Sequence, residues 1–179
     1  FFPAHHPNDM TRRIIITGGT FDKRYDAIRG QLTFQDTHLP DIIEQVRTSL
    51  PIAFELNQLV DSLDMQDENR QKVLTACRNA PEKLIVITHG TDTMTETAGV
   101  IGHAFATGDA ALAGKKIVLT GAMVPYSVSG SDALFNLGSA VMATQLLPAG
   151  VYITMNGRCF PWQAVKKNRA LGVFEGEAL

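Results

Sequence analysis

The chain has 179 residues, 45% hydrophobic and 19% charged, which is enough length and apolar content for one domain with a buried core and not the composition of a disordered segment. Sixteen Lys and Arg against 18 Asp and Glu leave a formal net charge of -2, so there is no basic footprint for nucleic acid and no polybasic patch for an anionic membrane. No apolar run approaches the length of a membrane span.

Residues 1–13 are expected to form a flexible tail ahead of a single catalytic domain over residues 14–179. The tail lacks the charged and apolar regions of a secretory signal, and its His5-His6 pair reads as solvated rather than metal-binding. Residues 14–16 form a β-branched run that ends at Thr17-Gly18-Gly19-Thr20. Between residues 40 and 50, Ile42, Ile43, Val46 and Leu50 recur at helical spacing. Residues 52–60 read as a strand. Asp64 is the expected cap of a helix over residues 66–79, with Val73, Leu74 and Cys77 inward. Residues 84–87 are continuously apolar, as in a strand covered on both faces, and run into Thr88-His89-Gly90-Thr91-Asp92. A helix follows with Met94, Ala98, Ile101 and Phe105 on one face. Residues 117–119 are another buried strand, ending at Thr120-Gly121. A polar loop over 126–130, a helix over 131–147 and a strand over 150–155 complete the series.

Strand-then-helix repetition predicts an α/β fold: a doubly wound, mostly parallel sheet with helices on both faces, joined by right-handed crossovers. Ligands in such sheets bind beyond the carboxyl ends of the strands. Three strands end there in small polar sequences, and their agreement is more informative than any one of them.

The Thr-Gly-Gly-Thr turn lacks the spacing of a phosphate loop, but its glycines allow Thr20 to approach a ligand closely. Thr91 and Asp92 place a hydroxyl beside a carboxylate at a strand end, more polarity than a helix cap requires. A threonine hydroxyl is a poor nucleophile until a base takes its proton. Lys115, at the start of the strand over 117–119, is the expected base, because a desolvated lysine can have its pKa lowered and accept a proton. The alternative for Lys115-Lys116 is a solvated strand edge.

In that order, Thr17-Gly18-Gly19-Thr20, Thr88-His89-Gly90-Thr91-Asp92-Thr93-Met94 and Val118-Leu119-Thr120-Gly121-Ala122-Met123 resemble the motifs of the bacterial-type L-asparaginase family. Leu59-Val60-Asp61-Ser62 with Asp64-Met65 is similar to its segment that binds the substrate's α-carboxylate. The resemblance implies Thr20 as the first nucleophilic threonine, Thr91 and Asp92 as the second threonine and its aspartate, Lys115 as the lysine of that cluster, and Tyr25 as the tyrosine supporting Thr20. It implies substrate contacts from Ser62, Gly90, Thr91 and Asp92, with Asp92 on the α-ammonium. Leu63 stands where the family usually has glutamine, and the family's smaller C-terminal domain is expected to be absent. With that domain missing, each site is expected to be complete within one chain.

The function so implied is hydrolysis of L-asparagine to L-aspartate and ammonia, with no metal and no organic cofactor. Hydrolysis of glutamine or an N-substituted asparagine, and a non-catalytic amino-acid-binding domain, remain open. So does the question of which threonine attacks first. The expected partner is a small amino-acid substrate, with neither nucleic acid nor membrane, and assembly into a homo-oligomer is left open. Cys77 and Cys159 belong to no C-x-x-C or Cys/His set, which fits a cytoplasmic setting.

Overall fold

Three consecutive isoleucines, Ile14, Ile15 and Ile16, cannot share one face of a strand, because successive side chains alternate sides. A strand that buries all three must be covered on both faces. The computed structural model, which describes residues 10–179, has that arrangement. The His5-His6 pair and most of the expected tail lie outside the described residues.

The chain runs through β1 (Arg12–Gly18), a 3-10 turn at Thr20–Asp22, a hairpin of β2 (Arg24–Asp26) and β3 (Gln31–Thr33), α1 (Leu39–Gln45) and β4 (Ile52–Val60). A second 3-10 turn at Ser62–Asp64 leads to α2 (Asp67–Asn79), β5 (Leu84–Thr88), α3 (Met94–Ala106), β6 (Lys116–Thr120) and α4 (Ala133–Leu146). The described chain ends with β7 (Gly150–Met155), β8 (Arg158–Pro161), β9 (Val165–Asn168) and β10 (Val173–Gly176).

Six strands form the main sheet in the order β4-β1-β5-β6-β7-β8, parallel except for β8. Alternation then assigns two cores. Ile15, Ile85, Ile87, Ile117 and Leu119 pack with Val73, Cys77, Ala98 and Ile101 of α2 and α3. On the other face, Ile14, Ile16, Val86 and Val118 pack with Leu39 and Ile42 of α1 and Leu137 and Ala140 of α4. Each of these buried isoleucines contributes about 2 kcal/mol by leaving water.

The two cores also fix the hands of the crossovers. α1 leads from β1 back to β4 on one face, while α2 and α3 lead forward on the other, so these three share a hand. α4 leads forward from β6 to β7 but on the face of α1. Its crossover has the opposite hand, which departs from the uniform right-handedness expected of parallel connections.

Local boundaries have identifiable causes. β1 begins two residues ahead of the expected domain boundary, with the Arg13 guanidinium donating to both carboxylate oxygens of Glu82 at 2.6 and 3.0 Å. α1 stops well before residue 50, followed by Arg47 at φ 53. α2 is capped by Gln66 rather than Asp64: Asn69 Oδ1 accepts from Gln66 N at 2.8 Å in a capping box, and Asp64 belongs to the preceding 3-10 turn. α4 begins later than expected because the Asp132 carboxylate turns back to accept from Met123 N and Val124 N at 3.0 and 2.9 Å, fixing the loop after β6.

Candidate active site

The sheet order reverses at β1, so the loops after β1 and β5 diverge and leave a crevice at their carboxyl ends. The glycines there are required by close backbone approach. A Cβ on Gly19, which has φ +71, would stand 2.4 Å from Gly90 Cα, and a Cβ on Gly90 would stand 2.5 Å from Ser62 Oγ. A Cβ on Gly121 would stand 2.3 Å from the His89 carbonyl oxygen. Side chains therefore cannot enter these positions without moving backbone. The residues that follow, Thr20 and Thr91, are brought to adjoining loops, with Ser62 beside them.

Further contacts hold the three loops together. Thr17 Oγ1 donates to the Thr88 carbonyl at 2.8 Å, and Thr93 Oγ1 donates to the Ser62 carbonyl at 2.8 Å. Lys23 pairs with Asp61, joining the turn that carries Thr20 to the turn that carries Ser62. Buried Asp22 accepts from His38 N at 2.8 Å and from the Thr37 hydroxyl at 3.1 Å, and burial pushes its carboxyl up to about 6. These bonds anchor the far end of the Thr20 turn to the start of α1.

The densest cluster of polar side chains in the crevice lies around Thr91. Its hydroxyl, nearly inaccessible to solvent, accepts from Lys167 Nζ at 2.8 Å, and the same ammonium donates to Asp92 Oδ1 at 2.9 Å. Lys167 comes from β9, which pairs antiparallel with β10. Behind the pair, fully buried His89 lies 2.7 Å from the Gly90 carbonyl through Nδ1 and 2.7 Å from the Thr97 hydroxyl through Nε2. A carbonyl only accepts, so Nδ1 carries the proton and Nε2 accepts from Thr97. Burial pushes the imidazole down to about 4, so it is neutral near pH 7 and fixes the strand end by hydrogen bonds rather than by charge.

Lys115, expected as the base, is not in this cluster. It precedes β6 at the amino edge of the sheet, whereas Thr91 follows β5 at the carboxyl edge. Five strand residues separate the two edges by about 16 Å. Lys115 Nζ instead donates to the carbonyls of Cys77, Arg78 and Ala80 at 2.5, 3.2 and 2.7 Å, capping the carboxyl end of α2. Burial lowers its pKa, but no hydroxyl is within its reach among the described residues. Lys167, the lysine that does reach Thr91, lies beyond the last strand that periodicity reveals, so sequence reasoning missed it.

The structure brings together Thr20, Ser62, Gly90, Thr91 and Asp92 of the expected set. Tyr25 lies in the β2–β3 hairpin opposite Leu32, is 64% exposed, and makes no hydrogen bond to Thr20 among the described residues. Leu63, at 61% exposure, presents an apolar side chain beside Ser62.

The profile of the asparaginase family, N-terminal domain, matches residues 13–174. The chain is 34% identical over 161 residues to a glutamyl-tRNA(Gln) amidotransferase subunit of Methanococcus vannielii, covering 85% of this chain and 35% of that protein. It is 30% identical over 157 residues to the glutaminase-asparaginase of Pseudomonas fluorescens biotype A, covering 80% and 41%. The solved thermostable L-asparaginase from Thermococcus kodakarensis superposes with a TM-score of 0.77 at 25% identity, over 93% of this chain and 51% of that one. The chain thus spans between a third and about half of the length of these proteins.

Proposed function

Since the chain belongs to the asparaginase family through its N-terminal domain, we propose that it is an amidohydrolase that converts L-asparagine to L-aspartate and ammonia through a threonine-bound acyl intermediate. The observation that carries this reading is the Lys167 ammonium seated between the Thr91 hydroxyl and the Asp92 carboxylate at the mouth of the sheet. A hydroxyl that can relay a proton to a lysine, with a carboxylate orienting that lysine, is the arrangement that can activate a threonine nucleophile on the adjoining loop.

Thr20 Oγ attacks the side-chain carbonyl carbon as its proton passes to the Thr91 hydroxyl, which hands its own to Lys167; the lysine accepts it as the neutral amine, having first given up the ammonium proton to solvent. The amides of Thr20, Gly90 and Thr91 donate to no protein acceptor among the described residues, which leaves them available to the oxyanion. The carbon–nitrogen bond breaks as the nitrogen takes a proton, and ammonia departs. Water then adds to the ester, the same pair accepts its proton, and aspartate leaves as Thr20 regains its hydrogen. Asp92 holds the α-ammonium and Ser62 donates to the α-carboxylate. Free thiols at Cys77 and Cys159 support a cytoplasmic setting, and among the described residues no helix is long and apolar enough to cross a membrane.

Ammonia release is measured with L-asparagine and L-glutamine side by side, since one methylene is resolved by only about 1–3 kcal/mol in an apolar pocket. Turnover of asparagine, lost in Thr20→Val, supports the reading. Binding of L-aspartate without release of ammonia from any side-chain amide replaces it with an amino-acid-binding domain.

A further inference from the structure

Lys167 is not the only cation on Asp92. Arg169 Nη2 donates to the main-chain carbonyl of Asp92 at 3.2 Å, and its Nε lies 3.8 Å from the Oδ1 that Lys167 already binds. The arginine side chain is 64% exposed beside Asp92, so much of its fork of donors is open to solvent. The backbone beneath it is fixed: Asn168 Oδ1 accepts from Ala170 N and Leu171 N, both at 3.1 Å, and Asn168 Nδ2 donates to Glu175 at 2.7 Å. Ser62 is tied to the same neighbourhood through the bond from Thr93, the residue after Asp92.

Resting on the asparaginase reading, we propose that Arg169 is a specificity-determining residue that binds the α-carboxylate of the substrate. In an α-amino acid the ammonium and carboxylate sit on one carbon. A site that holds the ammonium with Asp92 therefore has the carboxylate within reach of a guanidinium beside Asp92. Asp92 and Arg169 together present a negative and a positive group to a zwitterion whose charges lie in the opposite order. Leu63 adds no polar atom next to Ser62, so without Arg169 a single neutral hydroxyl would hold the carboxylate. A charge-assisted bond from guanidinium is about twice as strong as a neutral one, and the planar fork matches a carboxylate's two oxygens. The exposure of Arg169 lets the fork turn from the Asp92 carbonyl to an entering ligand.

The test compares L-asparagine with L-asparaginamide, which keeps the α-ammonium and side-chain amide but lacks the α-carboxylate. Arg169→Gln is expected to raise KM for L-asparagine about tenfold or more while kcat changes less than about twofold, the effect of losing one charge-assisted contact made equally in ground and transition states. KM for L-asparaginamide is expected to stay unchanged, and Arg169→Lys, which keeps charge without the fork, to fall between wild type and Gln. Equal shifts for the two substrates, or a fall in kcat at constant KM, would overturn the proposal, because Arg169 would then act through Asp92 and Lys167. If wild type releases ammonia from neither substrate, the asparaginase reading fails, and calorimetric binding of L-aspartate decides the role of Arg169. A roughly tenfold weaker Kd in Arg169→Gln supports carboxylate binding, and an unchanged Kd refutes it.

Discussion

Lys115 and Lys167 are both lysines with little exposed surface, and their environments separate them. Lys115 faces three carbonyls, which accept hydrogen bonds but hold no proton to give. Lys167 faces a hydroxyl and a carboxylate, the pair that general-base chemistry uses. Thr91 and Asp92 were legible from sequence because they adjoin a buried strand. Lys167 was not, because its contact with Thr91 closes across 76 residues and no local pattern encodes it. His89 supplies a prediction at the same scale. Its folded pKa, about 4, lies below the ordinary value of 6.5, so the unfolded chain binds the extra proton between those values. Stability from this group is complete above pH 6.5 and is lost as the pH falls toward 4, by roughly 3 kcal/mol. Thermal unfolding of wild type and His89→Gln across pH 4–7 measures it: the wild-type Tm should fall more steeply with acid than that of the variant, and parallel slopes would remove His89 as the cause.

Among the elements, those with a run of apolar residues or a clear period were readable. β4 and β7 have the predicted bounds, since turn-forming residues stand close to their ends: Pro51 and Asp61 about Ile52–Val60, Pro148 and Asn156 about Gly150–Met155. The β2–β3 and β9–β10 hairpins were missed because their three- and four-residue strands are too short to show a period, even where β10 carries Val173 and the buried Phe174. One of those missed elements delivers Lys167. Lys115 belongs to this scale, as a cap that ties β6 to α2. Lys115→Met leaves three carbonyls without their donor and should lower stability by about 1–3 kcal/mol in denaturant unfolding, with kcat unchanged. Gly19→Ala combines a positive φ with a 2.4 Å clash against Gly90. It should displace the Thr20 turn and depress kcat more than stability, as read by turnover and Tm on the same preparation.

At the scale of the molecule, the α/β class and the two covered faces follow from strand alternation, as with Ile14, Ile15 and Ile16. The opposite hand of the α4 crossover does not, because pattern fixes which residues are buried and not the side on which a connection passes. The crevice between β1 and β5 draws Thr20, Ser62, Thr91, Asp92 and Lys167 from a single chain. Mixing Thr20→Val with Lys167→Met chains under exchange conditions, with exchange followed by a labelled chain, is therefore expected to restore no activity. Recovery of substantial turnover would mean that the two groups meet across chains. The central assignment, Lys167 as the working base and Lys115 as a helix cap, is tested most directly by ammonia release from L-asparagine in the two methionine variants, each checked for folding. Lys167→Met is expected to lose on the order of a thousandfold in kcat while Lys115→Met keeps the wild-type rate. A Lys167→Met enzyme that turns over normally, or a folded Lys115→Met enzyme that does not, would contradict it.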